Sequence, residues 1–319
     1  MALNGYGALS LVVKFSLGYL FNLIFVWFYV DWKPTLRLKY NLLIDIIPSW
    51  LYLTGSSFLH TGTIHFYSLF LGKMFSFSDL AFFNKAQSLQ QIPINNLSSV
   101  INRVILPILA EVNPNIKLLK YSAKKLLFNT ALFIYPILVF LVYNSDSIIY
   151  LLLGDNWLPS ADYFELFCII GFLFPIHLIN INILISTDNN KKLFFIEIIK
   201  KTLLILFLFL TFKYGILFVL YGMLLNSCIG LYINTYFTKK IIDYNIISQI
   251  KDCFLPFSYS LILYFILYLI NFYFPLNLYF SVIVNLFIFI LLYISILFLH
   301  VDHINNLFKS YFKKLSLNY

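Results

Sequence analysis

Nine runs of mostly apolar residues follow one another along this chain, with short charged connections between them. A helix needs roughly 20 such residues to cross the hydrocarbon core of a bilayer. The runs cover approximately 8–30, 42–71, 80–109, 125–144, 161–186, 193–212, 214–237, 253–273 and 277–300. The second and third are long and polar, and the sixth is divided by Glu197, Lys200 and Lys201. Soluble domains carry about 25% charged residues, whereas this chain has 11% and is 61% hydrophobic. A soluble fold would leave most of its Phe, Ile and Leu without a core to enter. The pattern predicts an all-α polytopic membrane protein of about nine transmembrane helices.

The net charge of +9 could suggest nucleic acid in a soluble protein, but here placement decides otherwise. One set of alternate connections holds Lys33, Arg37, Lys39, Lys117, Lys120, Lys124, Lys125, Lys191, Lys192, Lys239, Lys240, Lys251, Lys309, Lys313 and Lys314. The opposite set holds Lys73 and Lys213. Basic residues accumulate on the cytoplasmic side of membrane proteins, so the bias places the C-terminus in the cytoplasm and, with nine spans, Met1 outside. Nucleic acid is not an expected partner; membrane lipids are. Trp27, Trp32, Trp50 and Trp157 fall near span ends, where amphipathic rings favour the interface. Ile148 to Trp157 is too short to cross and reads as an interfacial piece on the outer face.

Cys168, Cys228 and Cys253 show no CxxC spacing and no partner histidines, so neither a disulfide framework nor a metal site is expected. The first apolar run is long and has no basic leader before it, so the first span is expected to do the targeting. No Ser/His/Asp arrangement, Walker-type loop or HExxH spacing is present. The expectation is a protein that is not an enzyme, with no cofactor and no ATP-driven step.

Within this apolar chain, Ala81 to Glu111 carries a polar stripe. Asn84, Ser88, Gln91, Asn95, Ser98/Ser99 and Asn102 recur every three or four residues, which puts them on one helical face. Such a face in a membrane lines water, substrate or another helix. Pro93 and Pro107 interrupt this stretch and Pro175 the fifth run. His60 and His65 with Thr61 and Thr63 form a second polar patch, and His177, Asn180 and Asn182 a third. Glu197 with Lys200 and Lys201 has i,i+3 and i,i+4 spacing, which favours a structural ion pair over a binding site. Lys14 stands alone in the first run.

Several strings together resemble the O-antigen and polysaccharide flippases (Wzx type) of the multidrug/oligosaccharidyl-lipid/polysaccharide exporter superfamily. They are FNKAQSLQQIPINNLSSVINRVILPILAE at Phe83–Glu111, GYGALSLV at Gly5–Val12, WKPTL at Trp32–Leu36, LLLGDNW at Leu151–Trp157 and EIIKKTLLIL at Glu197–Leu206. Order and spacing agree over roughly Leu3 to Leu255. The resemblance implies a fold of two six-helix lobes and two additional C-terminal helices. On that map residues 1–40 hold the last N-lobe helix and the central cytoplasmic loop. Residues 41–238 make one complete six-helix C-lobe, and 239–319 hold the two additional helices and a cytoplasmic tail. The chain is then expected to be an N-terminally truncated member.

The cargo the resemblance implies is an undecaprenyl-pyrophosphate-linked oligosaccharide, moved across the bacterial inner membrane for O-antigen, capsule or exopolysaccharide synthesis. A polysaccharide polymerase and other assembly proteins are the implied partners. Such a headgroup calls for fixed cations and for amide or hydroxyl partners to sugar. Arg103 and Lys85 could supply the cations; Asn84, Gln87, Ser88, Gln91, Asn95, Ser99 and Asn102 could supply the rest. The same side chains could instead only hydrogen-bond to neighbouring helices, worth about 0.6 kcal/mol each, and Arg103 could snorkel to the interface. Glu165 and His177 are the candidates for ion coupling. Two departures from the family stand out. No carboxylate lies between Asp45 and Asp79, and Ser186-Thr187 replaces an expected glycine-arginine turn. An inactive flippase remnant is one alternative. A polytopic O-antigen polymerase or ligase is another, though the longest outer loop, about sixteen residues and acidic, argues against it.

Overall fold

A single segment surrounded by lipid can satisfy its backbone only as helix, and the structure follows that constraint. The computed structural model describes residues 7–29, 40–274 and 278–299, and no strand occurs among the described residues. The chain is an all-α polytopic membrane protein. The Trp32–Leu36 string and Lys33, Arg37, Lys39, Lys309, Lys313 and Lys314 lie outside the described residues.

Two units make up the chain, Met1–Ile47 and Pro48–Tyr319. The first holds α1 (Gly7–Tyr29) and the start of α2 (Tyr40–Met74). None of the α1 stretch Val12–Tyr29 is buried; a helix apolar on all sides is what a bilayer solvates. The second unit holds the rest of α2, then α3 (Phe77–Val112), α4 (Ile116–Tyr143) and the short α5 (Ser145–Leu153). There follow α6 (Ser160–Gly171), α7 (Phe174–Ser186), α8 (Asn190–Thr211), α9 (Ile216–Ile242), α10 (Ile246–Tyr273) and α11 (Leu278–Leu299).

Six of these helices are long and apolar enough to cross a membrane, and α6 with α7, bent by 44° at their break, passes the same test only as a pair. Of the two other long helices, α2 and α8, the second carries too many charges to pass on composition alone. Lys191, Lys192, Glu197, Lys200 and Lys201 all fall within its 22 residues. The helices also outrun the apolar runs. α4 begins at Ile116, not 125, because Asn115 accepts from the amides of Lys117 and Leu118. α10 begins at Ile246, not 253, because Asn245 accepts from Ser248. Caps set these ends, and apolarity does not.

Proline behaves differently at different places. Pro93 and Pro107 do not interrupt α3, which runs unbroken for 36 residues. Pro175 does sit at a break: it occupies the first turn of α7, where its missing N–H costs nothing. Gly171 closes α6 there, and a Cβ on it would meet Gln90 Nε2 at 3.0 Å. The Ile148–Trp157 segment folds as the end of α5 and a 3-10 turn over Asp155–Trp157, joined through Gly154 at φ +87°. Nine residues of α5 are too few to span.

α4 lies inside the bundle, packed by α3, α6, α7, α9 and α10. At its far end Asn285 of α11 donates to Asn144 Oδ1 (2.9 Å), and Asn271 of α10 donates to Asn285 Oδ1 (2.8 Å). A buried tie of this kind fixes the register of two otherwise featureless apolar helices. α2 is held to α8 chiefly by aromatic packing, with Phe70 edge-on to Phe209 and Tyr52 against Phe194. Tyr67 also donates to the Leu204 carbonyl (2.9 Å).

Candidate functional site

Polar side chains from five spans converge on one cleft of about 460 Å³ inside the second unit. α3 contributes Gln87, Gln90, Gln91 and Asn95, and α2 contributes His60. α7 adds His177, α8 the Glu197/Lys200/Lys201 cluster, and α9 Asn226 and Ser227. An adjoining recess of about 130 Å³ shares His60, Gln87, Gln91 and Lys201 and adds Thr63, Tyr67 and Ser68.

The charges are nested. Glu197 pairs with Lys200 one turn away and lies 3.9 Å from Lys201, and all three side chains are largely enclosed. Lys201 is 3.2 Å from His60 Nδ1 across to α2. An ammonium donates here and the ring nitrogen accepts. His177 is fixed at both ring nitrogens. The Asn234 amide donates to Nδ1 (3.0 Å), which leaves the Nε2 proton for Ser227 Oγ (3.2 Å). Asn226 Oδ1 is enclosed and has no hydrogen-bond partner among the described residues. It is an acceptor waiting for a donor.

Behind the cleft a second polar network is fully buried. Asn180 and Gln249 exchange reciprocal amide bonds of 2.8 and 3.0 Å, Thr238 donates to Asn180 Oδ1 (2.7 Å), and Gln249 also donates to the Tyr244 carbonyl (3.1 Å). These bonds sew α7, α9 and α10 together. Every member is satisfied, which suits a fixed wall.

The expected residues distribute unevenly over this geometry. Gln87, Gln91, Asn95 and His177 come together in the cleft. Asn102 is taken up by Asn182 of α7, which donates to it at 2.9 Å. Ser99 bonds to the Asn96 carbonyl on its own helix. Asn84, Ser88 and Arg103 are exposed, Lys85 is half-buried, and none of the four lines the cleft. Glu165 lies on α6, also outside the lining. Gln90, Asn226 and the α8 cations were not assigned to a site from the sequence. Gln90 is adjacent to the stripe and was legible from it. The α8 cluster was not, because its local spacing already explains it.

A family model described as "Polysaccharide biosynthesis protein" matches residues 1–162. The lipopolysaccharide biosynthesis protein WzxC of Escherichia coli (strain K12) is 24% identical over 122 residues, 38% of this chain and 25% of that protein. The match thus spans about a quarter of the relative's length. Among solved structures, the lipid II flippase MurJ in its inward closed conformation matches with a TM-score of 0.66 at 18% identity. That match covers 86% of this chain and 58% of the other. At that identity the likeness is one of fold.

Proposed function

The chain belongs to the polysaccharide biosynthesis protein family, and on that premise we propose that it carries a lipid-linked oligosaccharide across the bacterial inner membrane. The carrier in this reading is undecaprenyl pyrophosphate, and the C-terminus is cytoplasmic. One observation carries the reading: two cations and a row of amides face a common cleft in the interior of a membrane bundle. Enclosed intramembrane charge marks a pathway for a polar passenger. Lys200 and Lys201 receive the pyrophosphate, with Glu197 moderating their hold so that the passenger can leave. Gln87, Gln90, Gln91, Asn95 and Asn226 exchange hydrogen bonds with sugar hydroxyls. Lys85 and Arg103 share a face of α3 turned away from those amides and take no part in holding the headgroup in the cleft. His177 is the group placed to couple an ion, ahead of Glu165.

Residues 41–238 form the C-lobe in this proposal, and α10 and α11 the two additional helices. Complementation of a flippase-null strain tests the activity. The Lys200→Gln/Lys201→Gln variant, present at wild-type abundance, should lose surface polysaccharide. Complementation undiminished by that pair of substitutions would overturn the cleft assignment. No polysaccharide from the wild-type chain at normal abundance would favour the inactive remnant.

A further inference from the structure

On the outer rim of the bundle, away from the central cleft, α4 and α10 enclose a second concavity of about 320 Å³. That volume lies at the small end of ligand-sized clefts, about 300 Å³ and upward. It shares no lining residue with the cleft described above. Lys124 and Lys125 approach from α4, and Lys251 from α10. Asp252 is the one carboxylate in the lining, so the pocket carries a net charge of two positive.

The Asp252 carboxylate is already engaged. Tyr244 donates to its Oδ2 at 2.6 Å and Lys124 lies 4.0 Å away. Burial and that carboxylate push the Tyr244 phenol far above its ordinary range, so it stays a donor. Lys125 and Lys251, by contrast, have no acidic partner among the described residues. The neighbouring Lys120 is different again: it donates to the Asp243 carbonyl (2.5 Å) and is not available. Two unneutralised ammonium groups therefore face a small recess with Tyr121, 62% exposed, at its edge.

Below the recess α10 presents apolar surface. Leu255 lines the pocket, and Ile262, two turns on along the same face, is 56% exposed. A ligand with an anionic head and a hydrocarbon tail matches both parts. A cationic recess continuous with an apolar stripe is how helices hold an acidic lipid.

We propose that the α4–α10 cleft binds the phosphodiester head of an anionic phospholipid, with one acyl chain lying along Leu255 and Ile262 of α10. The charge bias puts this recess at the level of the inner leaflet. The assignment is independent of what the central cleft transports.

Native mass spectrometry of the full chain in detergent tests it, with phosphatidylglycerol and phosphatidylethanolamine of identical acyl composition as probes. Phosphatidylglycerol should bind in preference. Each of Lys124→Gln, Lys125→Gln and Lys251→Gln should weaken it about fivefold, and replacing all three by arginine should preserve it. A control triple, Lys191→Gln/Lys192→Gln/Lys239→Gln, removes the same charge elsewhere on the same side and should change nothing. The triple Lys124→Gln/Lys125→Gln/Lys251→Gln should abolish the preference for phosphatidylglycerol; should it fail to fold, Lys251→Gln alone, at an exposed position, reads the same effect. Equal losses from both triples would reduce the binding to bulk charge and overturn the proposal. So would equal affinity for the two lipids. Inorganic phosphate binding the wild-type chain as tightly as phosphatidylglycerol would assign the recess to a free anion and end the lipid reading.

Discussion

Lys200 lays its stem over Gly230: a Cβ at that glycine would stand 3.1 Å from Lys200 Cδ and 3.6 Å from His177 Cε1. The absence of a side chain on α9 is what lets α8 bring its cation against the imidazole of α7. Gly230→Ala should be tolerated, since a methylene of a flexible side chain can give by a few tenths of an ångström. Gly230→Val should displace Lys200 and cut transport at least tenfold, at a stability cost of about 1–3 kcal/mol in thermal unfolding. Normal transport by Gly230→Val would separate Lys200's placement from function.

Glu197 serves two lysines, and among the described residues no other carboxylate pairs with them. Removing one partner of an enclosed ion pair costs about 3–5 kcal/mol, so Glu197→Gln should lower the melting temperature more than Lys200→Gln does. Adding Lys200→Gln to Glu197→Gln should recover part of the loss. A double variant less stable than either single one would show that the pair is not the stabilising unit.

The Asn180–Gln249 exchange predicts strong coupling. Asn180→Leu leaves Gln249 and Thr238 without their buried partner, at a cost of about 1–3 kcal/mol. The double variant Asn180→Leu/Gln249→Leu should cost less than the sum of the singles. Chemical unfolding in detergent checks this; strict additivity would mean that the two amides act independently.

Asn285 ties α11 to both α4 and α10. Asn285→Leu should be well inserted in the membrane yet lose about 1 kcal/mol of helix docking, read as faster disulfide trapping between cysteines placed on α10 and α11. Unchanged trapping would assign the docking to apolar packing alone.

The basic-residue bias gives an orientation to test directly. A phosphatase fused within Lys213–Gly215 should be active, and one fused at Asn245 inactive. The reverse pattern would invert the whole arrangement.

How much of this was readable in advance depends on how local the cause is. Spans were legible because about 20 apolar residues have few other fates. Their starts were not, since Asn115 and Asn245 extend α4 and α10 into charged sequence by capping amides. Gln87, Gln91 and Asn95 were legible from helical spacing, which fixes a face whatever the tertiary context. Asn102 carried the same signal but meets Asn182, 80 residues away. His60 and Lys201 are 141 residues apart, and no local pattern in either helix announces the other. Glu197 hid the cluster further by giving its lysines a partner one turn off.

Pro93 and Pro107 bring a different sort of chemistry into α3. Each lacks the amide that would have answered a carbonyl four residues back, on Leu89 and on Arg103. Leu89 directly precedes Gln90 of the cleft lining. The helix thus keeps acceptors that belong to its main chain, beyond the reach of any alanine scan. A survey of α3 by side-chain replacement will undercount the acceptors that the helix carries. Only a change at the prolines themselves would expose the difference.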